Sequence, residues 1–342
     1  MGLYESKSAK WVIPSADNFT YTSLVSSLYD NFNKEGFDST VESFEVLVPF
    51  IDTIYNFHGQ AYRKFSNLDL PTINLPKNKR DVLLSLSGGL DSIGQALDLS
   101  EQGYTVHLFH IKGLNTYENG QATRVCREFA DKMGLDYIEA DCKKVFDKSS
   151  PYKQFWAENP IKNQMGFALM LDYCIAKGYS IISAGDALTL GLNTRTLGVN
   201  LTDCNEITEK FLDGMKSSVK GLTFIPTKTT KFKKLEKLHS LKMLDNYYPC
   251  LNAGRFNQSL HKKFEHKFNV TIPKCLCGYC RKCVNSILML HYGNLIRYPD
   301  EVIQHCWDKM CPDNKNQNTA SYEYGKDIPL EKRIKNLFKD KE

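Results

Sequence analysis

The sequence predicts an α/β fold: a doubly wound parallel sheet with helices on its faces, a C-terminal metal-binding helical segment and a separate N-terminal module. Three observations carry that expectation. From residue 81 onward short apolar strands alternate with helical stretches, the pattern of consecutive βαβ units. The first of these strands runs into a glycine-rich turn, Ser-Gly-Gly-Leu-Asp-Ser at 87–92, and then into a helix. Near the C-terminus three cysteines fall within seven residues, Cys277-Gly-Tyr-Cys280-Arg-Lys-Cys283.

The elements read in order as follows. The run DVLLSL is a strand, followed by a helix from about Ser92 to Gln102 and by the β-branched and aromatic strand YTVHLFHI. QATRVCREFADKMG is the second helix and LDYIEA the third strand. KNQMGFALMLDYCIAKG reads as a helix closed by Gly178, and YSIISAG as the strand after it. A helix through EITEKFLDGMKSSV, the strand LTFIP and the basic helix KFKKLEKLHSLKML complete the alternation. In such a sheet ligands bind outside the carboxyl ends of the strands, and the 87–92 turn lies at one. Residues 1–80 break the alternation and end in the polar connector LPTINLPKNKR, so they read as a separate module. The core spans 81–249, the metal-binding helical part 250–311 and a polar tail 312–342.

Composition sets outer bounds. With 342 residues, 42% hydrophobic and 24% charged, the chain is sized for one large domain or two of a soluble globular protein. The net charge of +5 permits a nucleic-acid partner without arguing for one. No run reaches the roughly 20 apolar residues of a membrane span. The start, MGLYESKSAKWVIPSADNF, has no signal-peptide core. Its Met1-Gly2 and Ser6 fit the short myristoylation pattern, which matches often by chance. Eleven cysteines in that setting read as reduced thiols and metal ligands of a cytoplasmic protein. The oligomeric state is left open, a homodimer included.

The turn has a chemical reading. Gly88 and Gly89 let backbone approach a ligand closely. The hydroxyls of Ser87 and Ser92, with the N–H groups of a helix N-terminus, make an anion cradle suited to the phosphates of ATP. Asp91 is the candidate Mg²⁺ ligand, and Lys228 or Lys231 the cation that reaches the phosphates. His110 and the pair Gly185-Asp186, at the ends of other strands, are further nucleotide contacts. The bland alternatives are an ordinary βα turn, a solvated basic face for the lysines and a helix N-cap for Asp186. The turn is not the GxxxxGK[ST] loop. In the cysteine group the C-x2-C-x2-C spacing converges thiolates on one ion, zinc first. Cys250 and Cys275 are both candidates for the fourth ligand, and a three-ligand iron–sulfur cluster is the alternative.

SGGxDS is similar to the signature of the PP-loop ATP pyrophosphatases, with their adenine nucleotide alpha hydrolase-like fold, which split ATP between the α- and β-phosphates and adenylate a substrate. SGGLDS and CGYCRKC together resemble the 7-cyano-7-deazaguanine synthases of the queuosine pathway, over residues 81–290. ENGQATRVCREFADKMG is similar to a GQRH-type segment and places Gln121 at its Gln. NPIKNQMGFALMLDYCIAKGYSIISAG resembles the PxRNxxFLxxA stretch, with Asn163 at the Asn and Lys162 where the family has Arg. TDCNEITEKFLDGM is similar to the PDCRxxF segment, with Asp203 and Cys204 at the Asp-Cys pair and Asn205 replacing Arg. IPTKTTKFKKLEKL puts Lys231 near the family's Lys, and YYPC corresponds to WSC, which favours Cys250 as the fourth zinc ligand.

The resemblance implies an ATP-dependent ligase using Mg²⁺ and Zn²⁺ that turns 7-carboxy-7-deazaguanine and ammonia into the amide and nitrile. Gln121, Lys162, Asn163 and Asp203 would hold the substrate. A second reading is a deazaguanine-activating enzyme that modifies a macromolecule, DNA or protein, in modification or anti-phage defence. It would dock through residues 1–80, 251–274 and the basic stretches 228–237 and 261–267. A tRNA thiolase or lysidine-type ligase ranks third, because the cysteine group lies C-terminal to the core in the chain. A non-catalytic nucleotide sensor is the last reading.

Overall fold

The computed structural model describes residues 73–77, 80–112, 120–141, 170–171, 173–185, 219–227, 229, 231–248 and 257–310. Five strands form one sheet, β2 (Asp81–Ser85), β3 (Thr105–Lys112), β4 (Asp136–Asp141), β5 (Ile181–Ala184) and β7 (Thr223–Ile225). Their order is β4-β3-β2-β5-β7 and every pairing is parallel. The chain winds outward from the central β2 through β3 to β4, then returns to β2's other side for β5 and β7. The order therefore reverses between β2 and β5. The doubly wound α/β expectation holds. Val82, Leu83 and Leu84 of β2 are all fully buried, as a parallel strand covered on both faces requires.

The helices are α1 (Leu90–Glu101), α2 (Gln121–Met133), α3 (Lys231–Ser240), α4 (Asn257–Phe268), α5 (Arg281–Tyr292) and α6 (Asp300–Met310). Residues 170–171 and 173–177 are helical, and Gly178 closes that helix at φ +76° with its N–H on the Cys174 carbonyl. The helix expected at 205–218 lies outside the described residues. The basic helix stops sooner than its sequence suggests. Lys242 takes φ +54°, and the N–H groups of Met243 and Lys242 bond to the carbonyls of Leu238 and His239. This is a Schellman closure with lysine in the position glycine usually fills, so no stop signal is written there.

The connector before the core also holds structure. β1 (Ile73–Asn74) pairs in parallel with β6 (Val219–Lys220), and Leu75 is buried with its N–H on the Lys220 carbonyl. Two residues in a proline-containing polar stretch are too few to show a strand period.

The C-terminal helices share the core of the sheet domain. Leu235 and Leu238 of α3, the cysteines at 277, 280 and 283, and Val284, Ile287 and Leu288 of α5 belong to the same buried cluster as Val82 and Leu84. α3 is the intermediary, packed against both α1 and α5. No helix among the described residues is long and apolar enough to cross a membrane.

Candidate nucleotide site and cysteine centre

The Ser87–Ser92 turn leaves the carboxyl end of β2 beside β5, at the reversal point where open α/β sheets form their ligand crevice. Its shape is held by the serines. Ser92 Oγ donates to the Gly89 carbonyl at 3.1 Å and accepts from the Ser87 N–H at 3.2 Å. Ser87 Oγ lies 3.1 Å from Ser92 Oγ and takes the Gly89 N–H at 3.4 Å. Ser92 is buried, whereas Ser87 is exposed. Gly89 caps α1 without a side-chain hydrogen bond, and the first helical bond runs from Ile93 N to Gly89 O. The opening N–H groups of α1 thus have no intrahelical acceptor, which is the geometry that receives an anion.

Two glycines have specific reasons. Gly88 has φ +76°, and a Cβ there would meet Cys126 Sγ at 3.2 Å. Gly185, following β5, faces the start of α1 so closely that a Cβ would fall 2.2 Å from Ser92 N and 2.3 Å from Ser92 Cα. Backbone cannot yield as a flexible side chain does. Gly185→Ala is expected to cost about 2–3 kcal/mol, as overpacking does, and to weaken ATP binding by displacing the turn. Chemical denaturation and nucleotide titration check both, and unchanged stability would contradict the packing assignment.

Below the turn, the structure corrects the expectation for His110. It is buried, with Nδ1 2.8 Å from the Leu86 carbonyl and Nε2 3.0 Å from Thr123 Oγ1. A carbonyl accepts only, so the proton sits on Nδ1 and Thr123 donates to Nε2. His110 supports the base of the turn, and its ring nitrogens are spent within the protein. Cys126 lies against the same groups, 3.5 Å from His110 Nδ1. From the other side, the Tyr248 N–H donates to the Gly88 carbonyl at 2.6 Å.

The basic stretch turns inward. Lys231, Lys234 and Lys237 recur at three-residue spacing and so share one face of α3, the face against α1. Lys231 Nζ is 3.5 Å from Asp91 Oδ2. Lys234, fully buried, donates to the Asp91 carbonyl at 3.0 Å, and its stem occupies the space a Cβ on Gly94 would need. Lys237 pairs with Asp98 and with Glu101, the latter at 2.7 Å. Lys231, Lys234 and Lys237 are therefore not a solvated face, whereas Lys233 of the same stretch points to solvent. Of the second basic stretch, Lys262, Lys263, His266 and Lys267 are exposed on α4. Asp91 Oδ1 is buried and has no hydrogen-bond partner, an orphaned hard oxygen of the kind a Mg²⁺ ion takes.

Cys277, Cys280 and Cys283 place their Sγ atoms within 4.8 Å of one another, all buried. The backbone feeds those sulfurs: Cys277 Sγ accepts from the N–H groups of Tyr279 and Cys280 at 3.4 and 3.3 Å, and Cys283 Sγ from Cys277 N–H at 3.3 Å. Donors converging on sulfur suit thiolates bound to a cation, so the residues fit a metal. Gly278, at φ +75°, allows the Phe264 ring to cover the turn. Cys275 is not among the converging ligands. Its thiol donates to the Leu244 carbonyl at 3.1 Å, and burial pushes its pKa up.

The sequence order misleads about where this centre sits. The fold returns it to the nucleotide turn, because α3 joins α1 to α5. Lys282, between two of the cysteines, has its pKa lowered by burial and then by the charge of Lys231, while Asp91, Cys280 and Cys283 act the other way. Buried Tyr247, one residue before the Gly88 contact, lies beside Cys275 and Cys283. Distance from the nucleotide turn is thus no argument against a thiolase.

Gln121 opens α2 beyond the carboxyl end of β3 and is half-buried. Lys162, Asn163, Asp186, Asp203, Lys228 and Cys250 lie outside the described residues. Sequence reasoning missed Lys234, which the i, i+3 spacing from Lys231 could have found.

No family model matches the chain, and no match is found among curated proteins. Among solved structures, the chain is similar to a predicted subunit of tRNA methyltransferase from Methanocaldococcus jannaschii, at 19% identity and TM-score 0.28, over 43% of this chain and 67% of that one. It is also similar to the U34-tRNA thiolase NcsA from Methanococcus maripaludis with its [4Fe-4S] cluster, at 16% identity and TM-score 0.35, over 65% and 74% of the two chains. Likeness at this level carries no argument about activity.

Proposed function

We propose that this chain is a PP-loop type ATP-dependent enzyme that adenylates a carboxylate, with 7-carboxy-7-deazaguanine as the substrate. The observation that supports it is the Ser87–Ser92 turn at the sheet's reversal point, carrying the orphaned Asp91 oxygen beside Lys231. A carboxylate oxygen of the substrate attacks the α-phosphorus, the α–β bridging bond breaks, and pyrophosphate leaves with its electrons. Ammonia then displaces AMP from the acyl-adenylate to give the amide, losing one proton. Mg²⁺ bound at Asp91 would neutralise phosphate charge. The chain itself contributes the α1 N–H groups, the Ser87 hydroxyl and the Lys231 ammonium, all aimed at developing phosphoryl charge. The cysteine centre would hold zinc, with Cys250 completing the set.

A second reading, a tRNA thiolase with iron–sulfur at the cysteines, draws on the proximity of that centre to the nucleotide turn. Incubation with 7-carboxy-7-deazaguanine, ammonium, Mg²⁺ and ATP is expected to release AMP and the amide or nitrile, read by mass spectrometry. Absence of AMP in that mixture would count against the ligase. Asp91→Asn is expected to lower AMP release by about 10²-fold or more, the scale of losing one preorganised electrostatic group, with the melting temperature retained. Unaltered turnover in that variant would remove Asp91 from the site.

A further inference from the structure

We infer that Thr227, at the carboxyl end of β7, is a further nucleotide contact whose hydroxyl donates to the phosphate chain of Mg²⁺-bound ATP. The inference rests on the proposed ATP chemistry and adds to it a side chain from the edge strand of the sheet. Thr227 is 4% exposed, and its Oγ1 is buried without a hydrogen-bond partner. A hydroxyl taken out of water with nothing to bond is destabilising. A buried group left in that state points to an ion, water or ligand that completes it.

The sheet register places that hydroxyl. Ser183 of β5 pairs with Ile225 of β7. Ser183 Oγ donates to the Ile225 carbonyl at 2.7 Å and accepts from Gln95 Nε2 of α1 at 3.0 Å, so Ser183 faces α1. Ile225 packs against the same buried cluster as Leu90 and Ile93 of α1. Side chains two residues apart on an extended strand share a face, so one pleat further Gly185 and Thr227 face α1 as well. Gly185 bears out the period: a Cβ there would fall 2.2 Å from Ser92 N and 2.5 Å from Asp91 C. The opening residues of α1 thus rest on the end of β5 at the position beside Thr227. Four residues after Thr227 the chain reaches Lys231, whose Nζ lies 3.5 Å from Asp91 Oδ2. Thr227, Gly185, Asp91 and Lys231 therefore enclose one corner of the crevice. Two of its buried oxygens, Thr227 Oγ1 and Asp91 Oδ1, lack partners, and neither satisfies the other. The carboxylate oxygen only accepts and suits a hard cation, whereas the hydroxyl can donate. A Mg²⁺-bound phosphate supplies both complements, the ion for Asp91 and an anionic oxygen for Thr227. A hydrogen bond to such an oxygen is charge-assisted and stronger than a neutral one.

The test is calorimetric titration of the full-length protein with Mg²⁺ and α,β-methylene-ATP, which keeps the triphosphate but resists cleavage at the α–β position. Thr227→Val exchanges the hydroxyl for a methyl group and is expected to weaken binding about tenfold or more, the scale of a hydrogen bond to a charged group. Without ligand the Val variant should melt at or above the wild-type temperature, because the hydroxyl it loses had no bond within the protein. The analogue should then raise its melting temperature less than it raises that of the wild type. Thr227→Ser, which keeps the hydroxyl, is expected to retain most of the affinity, and Ser240→Ala, at the far end of α3, to leave it unaltered. If Thr227→Val does not fold, Thr227→Ala supplies the same affinity comparison. Wild-type affinity in the Val or Ala variant overturns the inference alone. So does a Val variant that melts well below both wild type and Thr227→Ser, since the hydroxyl would then serve the fold. Failure of the wild-type protein to bind the analogue overturns the proposed function, and the inference with it.

Discussion

Replacing Cys283 with Ser is expected to abolish metal binding at the cysteine triad and to destabilise the C-terminal helices together with the sheet they pack on. The three Sγ atoms lie within 4.8 Å of one another in buried positions, which thiolates tolerate only around a cation. Their backbone donors are already committed to sulfur. Since Cys283 and its neighbours Val284 and Ile287 share one core with β2 and α1, loss of the ion reaches the nucleotide turn. The expected loss of stability exceeds about 4 kcal/mol, the range in which metal loss falls. Elemental analysis should give one metal centre per wild-type chain and less than a tenth of that in Cys283→Ser. Cys275→Ser should retain the metal, because its thiol serves Leu244, whereas Cys250→Ser should lose it if Cys250 is the fourth ligand. Metal binding displaces protons from the thiols, so affinity falls as pH falls. Visible absorbance separates iron–sulfur from zinc. A Cys283→Ser protein with full metal content and an unshifted melting curve would show that the triad is a cluster of ordinary buried thiols.

Much of this arrangement was legible in the chain, and the pattern of what was not is physical. The parallel sheet follows from fully apolar strands such as Val82-Leu83-Leu84 alternating with amphipathic helices. The nucleotide turn could be located before any geometry was available, because a strand–SGGLDS–helix sequence has one place in such a sheet. The cysteine spacing likewise announces a metal, but not its position. That the cysteine turn joins the core of the sheet depends on α3 packing against two helices at once, a long-range relation that no local period records. His110 shows the opposite failure: a histidine near a strand's carboxyl end reads as a ligand contact, and only the Leu86 carbonyl and the Thr123 hydroxyl reveal that its nitrogens are engaged. Lys231 was expected at the phosphates with a solvated face as the alternative, and its three-residue spacing to Lys234 and Lys237 is what puts all three on the face of α3 against α1. The end of α3 at Lys242 was hidden because lysine there does what glycine usually signals.

The support beneath the site makes the last expectation. Arg127 on α2 grips Glu139 on β4 with both ends of its guanidinium, Nε to Oε2 at 2.9 Å and Nη2 to Oε1 at 2.9 Å. The Glu139 side chain is 2% exposed, and its Oε2 also accepts from the Tyr137 hydroxyl at 3.0 Å. Arg127→Ala therefore strands a carboxylate in the interior, left with the Tyr137 hydroxyl and, among the described residues, one cation, Lys112, 3.8 Å away. The expected cost is about 3–5 kcal/mol, as for a buried pair broken on one side. Arg127→Lys should recover part of that, because an ammonium cannot reproduce the two-point grip. The double change Arg127→Met with Glu139→Leu should recover most of it, because removing both charges removes the need for the pair. α2 also carries Thr123 and Cys126 under the nucleotide turn, so the three variants separate stability from site geometry. Urea denaturation should follow the order Ala, Lys, double variant, while ATP affinity measured at low temperature on the folded fraction stays near wild type in all three. A loss below about 1 kcal/mol in Arg127→Ala would mean that Glu139 is solvated or neutral there, and that α2 is fixed by its apolar face alone.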